Sequence, residues 1–146
     1  MINKGVKKAA YSLLARREHS QRELKQKLLQ REFAETDILP VLDALSTQDI
    51  QSEQRFGESM LRQRISKGYG WIYIAAELKQ KGLTSDIIAA VYQSQQVDWY
   101  HQAQLAYEKR FADRNIIDQK DKAKRIRFLQ YRGFSFEQIS AVLNLD

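Results

Sequence analysis

"ELKQKGLTSDIIAAVY", Glu77 to Tyr92, decides how this chain folds, because its frame recurs. Leu78, Lys81-Gly82, Leu83-Thr84, Ile88 and Val91 have counterparts at Leu129, Arg132-Gly133, Phe134-Ser135, Ile139 and Val142. Fainter counterparts stand earlier, at Leu28, Arg31-Glu32, Phe33-Ala34, Ile38 and Val41. Leu28, Leu78 and Leu129 are 50 and 51 residues apart. A fixed period of this size marks tandem structural units, and each copy reads as the last two helices of a three-helix unit.

In the first copy, Ser20-Gln21-Arg22-Glu23 is a capping box, in which a hydroxyl and a carboxylate satisfy free amides at a helix start. Leu24 and Leu28 share a face, and the helix is expected to end near Phe33. Thr36 is the expected cap of the next helix, with Pro40 in its first turn, where a missing N–H costs little. Ile38, Val41, Leu42 and Leu45 then keep helical spacing. In the second copy, Trp71, Ile74, Ala75 and Leu78 form one stripe, which places Trp71 in the core. Gly82 stands where a helix needs a left-handed residue after its last turn. Thr84 or Ser85 opens the next helix, with Ile88, Val91 and Tyr92 facing inward. In the third copy, Ala123, Ile126 and Leu129 form the stripe, Gly133 the stop, and Ser135 to Gln138 a second capping box. Ile139, Val142 and Leu143 follow.

A leading helix precedes each pair. Val6, Ala9, Ala10, Leu13 and Leu14 mark the first; Phe56, Met60 and Leu61 the second; Trp99, Ala103, Ala106, Tyr107 and Phe111 the third. No strand-like alternation of useful length appears. The expected fold is all-α: three tandem three-helix repeats at 1–48, 49–97 and 98–146, about nine helices, forming an elongated, gently curved molecule. A unit this small buries little surface alone, so neighbouring units must lean on each other.

The 146 residues are 43% hydrophobic and 29% charged, a globular balance. One proline and six glycines favour helix over sheet. With no cysteine there is no disulfide and no thiolate chemistry. No apolar run reaches the roughly 20 residues of a membrane span, and Arg16, Arg17 and Glu18 cut the N-terminal apolar stretch too early for a signal peptide. A cytoplasmic protein with no membrane partner is expected. Net charge is +6, divided as +3 for 1–48, zero for 49–98 and +3 for 99–146. Such a surplus favours nucleic acid or an acidic protein surface, although a basic soluble protein with no anionic partner has the same composition.

No catalytic or metal constellation is legible. His19 and His101 read as surface or cap histidines, without the convergent partners that a metal site or triad needs. "KGYG", Lys67 to Gly70, lacks the ending of a phosphate loop and reads as a helix stop and turn. Glu23 and Lys27 read as an ordinary i,i+4 surface pair. No catalytic residue, metal or cofactor is expected.

The basic residues carry the functional reading. Lys120, Lys124, Arg127 and Tyr131 fall at i, i+4, i+7 and i+11, a polar stripe opposite Ile126 and Leu129 and flanked by Arg125 and Arg132. Arg62, Arg64 and Lys67 lead into Tyr69 and Trp71, with Lys79 and Lys81 nearby. Arg16, Arg17, Arg22, Lys25 and Lys27 make a third cluster in the first unit. A single basic stripe is usually a solvated face; three clusters in one small protein point further. Tyr69 and Trp71 can stack on bases, but their place at a helix start favours packing. Three-helix units resemble helix-turn-helix readers, yet "SDIIAAVYQSQQ" and "FEQISAVLNLD" are too apolar to read a groove, which leaves non-specific phosphate contact.

Asp49 to Leu83 resembles the signature region of the RecX family, bacterial regulators of the RecA recombinase. The matching pieces are Asp49, Arg55-Phe56, Glu58-Ser59, Arg62, Arg64, Lys67-Gly68-Tyr69-Gly70, Ile74, Glu77-Leu78 and Lys81-Gly82-Leu83. "LLARREHSQRELKQKLL" and "KAKRIRFLQYRGFSFEQISAVL" extend the likeness over nearly the whole chain. Trp71 stands where the family pattern has proline; either residue can open a helix. The resemblance implies tandem three-helix repeats that bind the RecA nucleoprotein filament in its groove. It also implies inhibition of strand exchange and coupled ATP hydrolysis, in recombination, DNA repair and the damage (SOS) response. The expected partner is therefore the RecA filament, contacted by a monomer, with single- and double-stranded DNA as further partners. The expected contact residues are Arg62, Arg64, Lys67, Lys79, Lys81, Lys120, Lys124, Arg125, Arg127 and Arg132. The alternatives are a non-specific DNA-binding protein that competes with RecA for single strands, and an adaptor for another protein.

Overall fold

Two capping boxes fix helix starts in the computed structural model, which describes residues 2–145. Ser20 accepts from the Glu23 amide at 3.1 Å while Glu23 accepts from the Ser20 amide, and Ser135 and Gln138 repeat the exchange. Asn3, Asp98 and Asp118 cap by the same chemistry, each taking an amide three residues on. Nine helices result among the described residues, and no strand. They are α1 Lys4–Arg16, α2 Gln21–Gln30, α3 Glu35–Thr47, α4 Glu53–Ser66, α5 Trp71–Gln80, α6 Ser85–Ser94, α7 Trp99–Phe111, α8 Gln119–Tyr131 and α9 Phe136–Leu143.

The repeat frame has a backbone signature. Glu32, Gly82 and Gly133 occupy the same slot after α2, α5 and α8, with φ of 69°, 93° and 92°. This is the left-handed residue that ends a helix. Glycine takes it without strain; Glu32 takes it against the usual penalty of about 1–2 kcal/mol for a residue with a Cβ.

The described chain forms two compact units. One runs through Ser59 and includes Leu78–Ser94; the other is Met60–Glu77 with the chain from Gln95 on. In the first unit α1, α2 and α3 pack together around Val6, Ala10, Leu13, Leu24, Leu28, Ile38, Val41, Leu42 and Leu45. Burying each large aliphatic side chain stabilises the fold by about 1.5–3 kcal/mol. Gly57 lies so close to α6 that a Cβ there would meet Val91 at 2.6 Å. In the second unit α7 packs on α8 and α9. Trp99, Ala103, Ala106, Phe111, Leu129, Phe134 and Ile139 are buried there, with Leu61 and Ile74. Gly70 and Gly133 let two backbones touch: the Gly70 amide donates to the Arg132 carbonyl at 2.6 Å and the Ile72 amide to the Gly133 carbonyl at 3.0 Å.

Several local expectations need correction. α2 ends at Gln30, before Phe33, because the left-handed turn falls at Glu32. Ala34, not Thr36, is the N-cap of α3, and it offers no side-chain bond. Pro40 therefore lies in the second turn, where its missing N–H deprives the Thr36 carbonyl of its donor. Both residues are exposed and the helix continues to Thr47. Trp71 is only half-buried, tilted against Trp99 with ring centroids 6.1 Å apart. Tyr92 is exposed rather than inward, while Val91 beside it is fully buried.

Candidate functional site

α8 carries the strongest candidate surface. Its start is built by Asp118, which caps the Asp121 amide at 2.7 Å, and by Asp121, whose carboxylate takes the Ile117 amide at 3.2 Å and the Arg125 guanidinium. The guanidinium bond, reinforced by the Ile117 amide, holds the Asp121 carboxyl below its usual range. The helix then presents Lys120, Lys124, Arg127 and Tyr131, all exposed. At 3.6 residues per turn these four lie within about 60° of one another and span about 16 Å along the axis.

Arg125 belongs elsewhere, which corrects its expected place on this surface. It is 4% exposed. Its guanidinium donates to the Tyr107 hydroxyl at 2.7 Å, to the Arg114 carbonyl at 2.8 Å, to the Asn115 carbonyl at 3.2 Å and to Asp121. It also lies over the Phe111 ring, 4.8 Å from the centroid. A buried charge satisfied on every side is a structural clamp. Here it ties the segment between α7 and α8 to α8, and its Tyr107 bond favours the charged form.

Three more expected contacts are spent within the fold. Arg64 forks onto Glu77 with bonds of 2.6 and 2.7 Å, and that pair raises its pKa. Arg132 donates to the Lys67 carbonyl at 2.8 Å and covers the rings of Tyr69 and Phe128, 4.9 and 5.0 Å from their centroids. Tyr69 stacks on Tyr73 at 4.2 Å, so its face is used by packing. Lys81 pairs with Glu23 at 3.1 Å. Lys81 and Arg132 hold the same frame position. Lys81 docks on α2, through Glu23, and Arg132 on the turn that leads into α5, through Lys67 and Tyr69.

Arg62, Lys67, Lys79, Lys120, Lys124 and Arg127 are exposed and form no ion pair among the described residues. The structure brings Lys120, Lys124 and Arg127 together on α8. Lys67 joins Lys109, Arg110 and Arg132 around a cleft of about 220 Å³. Lys79 lies in the other compact unit.

Sequence reading missed two features. Arg110 and Arg114 join Lys124 around a cleft of about 590 Å³ at the start of α8, walled by Phe111, Ile117 and Arg125. Their i,i+4 spacing was a signal, but the last turn of α7 and the segment after it had to be placed first. The second feature is a buried polar cluster in the other unit. His19 is 1% exposed, not a surface residue. Its Nδ1 meets the Arg17 carbonyl and its Nε2 meets the Lys27 ammonium, both at 3.0 Å. The carbonyl must accept and the ammonium must donate, so the ring is the neutral Nδ1–H tautomer. Burial lowers its pKa. Glu23 does not pair with Lys27. It takes Arg17, Lys81 and the Ser20 amide, which outweigh the upward push of burial and hold its carboxyl below the usual range. Among the described residues no group of His, Asp or Glu is arranged to hold a metal ion, and no helix is long and apolar enough to cross a membrane.

Three family models match the chain: the first RecX three-helix domain at residues 7–45, the second at 52–91 and the third at 96–143. This chain belongs to the RecX family. Regulatory protein RecX of Vibrio campbellii is 41% identical over 96% of this chain and 90% of its own length. That of Halorhodospira halophila is 40% identical over 95% of this chain and 86% of its own. The crystal structure of RecX from Lactobacillus salivarius superposes with a TM-score of 0.78 at 20% identity, covering 96% of this chain and 93% of that one. That likeness shows the fold: all-α, in three RecX three-helix domains. The named relatives support a RecX regulatory role.

Proposed function

We propose that this protein binds the RecA–DNA filament and inhibits strand exchange and the ATP hydrolysis coupled to it. The observation that carries the reading is the exposed Lys120–Lys124–Arg127 face of α8 in the third domain of a RecX-family chain. The protein is read as non-catalytic, cytoplasmic and monomeric, with repeats at 1–48, 49–97 and 98–146 that act through contact surfaces rather than through a reacting group. Wedged between neighbouring protomers, the α8 face engages acidic surface or phosphate, with Arg62, Lys67 and Lys79 as further contacts. Arg64, Lys81, Arg125 and Arg132 support those contacts by holding the helices that present them.

A second reading, competition with RecA for single-stranded DNA, is favoured by one observation. Tyr131 closes the basic face of α8 and is 82% exposed, where a base can stack. Charge reversal at Lys124 and Arg127 tests the α8 assignment. Both side chains are exposed, so the double variant is expected to keep its helical circular dichroism. Its co-sedimentation with preformed RecA filaments should weaken at least about tenfold, as loss of close charge pairs does at other interfaces. Unchanged co-sedimentation and inhibition would remove α8 from the interface.

A further inference from the structure

Lys27 does not pair with Glu23 across its own helix turn; it meets a base instead. Its Nζ lies 3.0 Å from His19 Nε2, and His19 Nδ1 donates to the Arg17 carbonyl at 3.0 Å. The carbonyl fixes the tautomer and leaves Nε2 as an acceptor aimed at an amine. The ring is buried, and Gln51 holds the His19 carbonyl at 3.2 Å, so the base is fixed in place. A nucleophile bonded to a base that a third group orients is the arrangement of an activated nucleophile. Lys27 is only partly buried. Its surroundings are cationic. Glu23 is taken up by Arg17 and Lys81, each at 3.1 Å, and both cations still reach solvent. Glu53, at the start of α4, faces the same cluster and accepts from Gln51 at 2.9 Å. Burial first, then Arg17, Lys81 and Arg16, hold the Lys27 pKa below the usual lysine value, with Glu23 opposing. An amine that yields its proton readily, beside cations that attract an anion, suits an electrophile that carries negative charge.

We propose that Lys27 is a site of covalent acylation by acyl phosphates, with His19 as the general base and with Arg17, Lys81 and Arg16 drawing in the phosphate. An acyl phosphate carries its dianion beside the electrophilic carbon, so one small molecule meets both the amine and the cations. The ammonium first loses one proton to water. The free amine keeps an N–H on His19 Nε2 and turns its lone pair to the acyl carbon. The C–N bond forms, His19 takes that proton, and the C–O bond to phosphate breaks. His19 then returns the proton to the departing phosphate. The products are an amide and hydrogen phosphate, and nothing is oxidised or reduced. The amide retains one N–H for His19, so the ring keeps its partner while α2 loses a positive charge from the basic cluster of the first repeat.

The test is incubation of the full chain with acetyl phosphate at neutral pH, with acetylation of each of its twelve lysines followed by peptide mass spectrometry. Two lysines serve as internal references: Lys25, on the same helix and paired with Glu35, and Lys8, exposed on α1. Lys27 is expected to acetylate at least about tenfold faster than either, a modest share of what a positioned base contributes. Inorganic phosphate should slow Lys27 and spare the references. That lead should shrink as pH falls below 6.5, because folded His19, whose pKa burial lowers, then takes up a proton and no longer accepts one. His19→Gln, checked for helical circular dichroism, is expected to abolish the lead. The comparison within the parent chain needs no variant: Lys27 acetylating no faster than Lys25 and Lys8 would overturn the proposal. A lead that survives in folded His19→Gln would remove the general base, and a lead that phosphate leaves untouched would remove the acyl phosphate as donor; either result overturns the proposal as well.

Discussion

At His19 a single proton decides whether a buried cluster holds. The ring is neutral, with Nε2 accepting from Lys27. Protonation would set a second N–H against that ammonium, beside Arg17. Lys81, Glu23, Gln51 and Glu53 complete the polar surroundings. Because the folded pKa lies below 6.5, the unfolded chain takes up the proton first as pH falls. The stabilisation by neutral His19 is full above 6.5 and is lost as pH drops from there toward the folded value. Glu23 acts in the same sense further down, its depressed carboxyl losing stability below 4.5. His19→Ala should cost about 1–3 kcal/mol well above 6.5, from the stranded ammonium and carbonyl. The gap to the parent protein should narrow below 6.5. Urea unfolding midpoints at several pH values check this, and a gap independent of pH would refute it. None of this was legible in the sequence. His19 reads as a surface or cap histidine, and Gln51, which donates to the His19 carbonyl, comes two helices later in the chain.

At the scale of the element, the helices and their ends were largely legible because they rest on local chemistry. Ser20 and Ser135 cap as their neighbours require, and the left-handed slot after each second helix shows as Gly82 and Gly133. Glu32 hides the first copy of that slot, which is why α2 ends earlier than its apolar spacing implies. The slot gives paired predictions. Glu32→Gly should stabilise by up to about 1 kcal/mol, relieving the left-handed Cβ, offset by glycine's entropy in the unfolded chain. Gly133→Ala should destabilise by at least about 2 kcal/mol, since its Cβ would collide with the Tyr73 backbone amide. Thermal melts of the two variants give the signs. Pro40 misled for the opposite reason: with no side-chain cap on Ala34, the local signal pointed to Thr36. The contact residues were legible only as a composition. Arg125 and Arg127 sit two apart on one helix, yet one is buried and the other exposed. The difference lies in carbonyls at Arg114 and Asn115 that the linking segment brings over α8. Arg125→Met should free that segment. Faster amide exchange over residues 112–118, with α7 still protected, is the expected result; unchanged exchange would mean that other contacts hold it.

For the molecule as a whole, the three-domain RecX plan was legible from end to end because each copy restates the same frame. The net charge of +6 pointed to anionic partners. Four of the ten expected cations prove to be internal struts, and the exposed ones gather most closely on α8. The central claim is that this chain acts on the RecA filament rather than on naked DNA. Titrating the protein into RecA's single-strand-dependent ATP hydrolysis, beside anisotropy on the same DNA without RecA, tests it most directly. Inhibition is expected at less than one protein per RecA, and below the concentrations that occupy the bare strand. Inhibition that tracks occupancy of the naked DNA, or no inhibition at all, would contradict the claim.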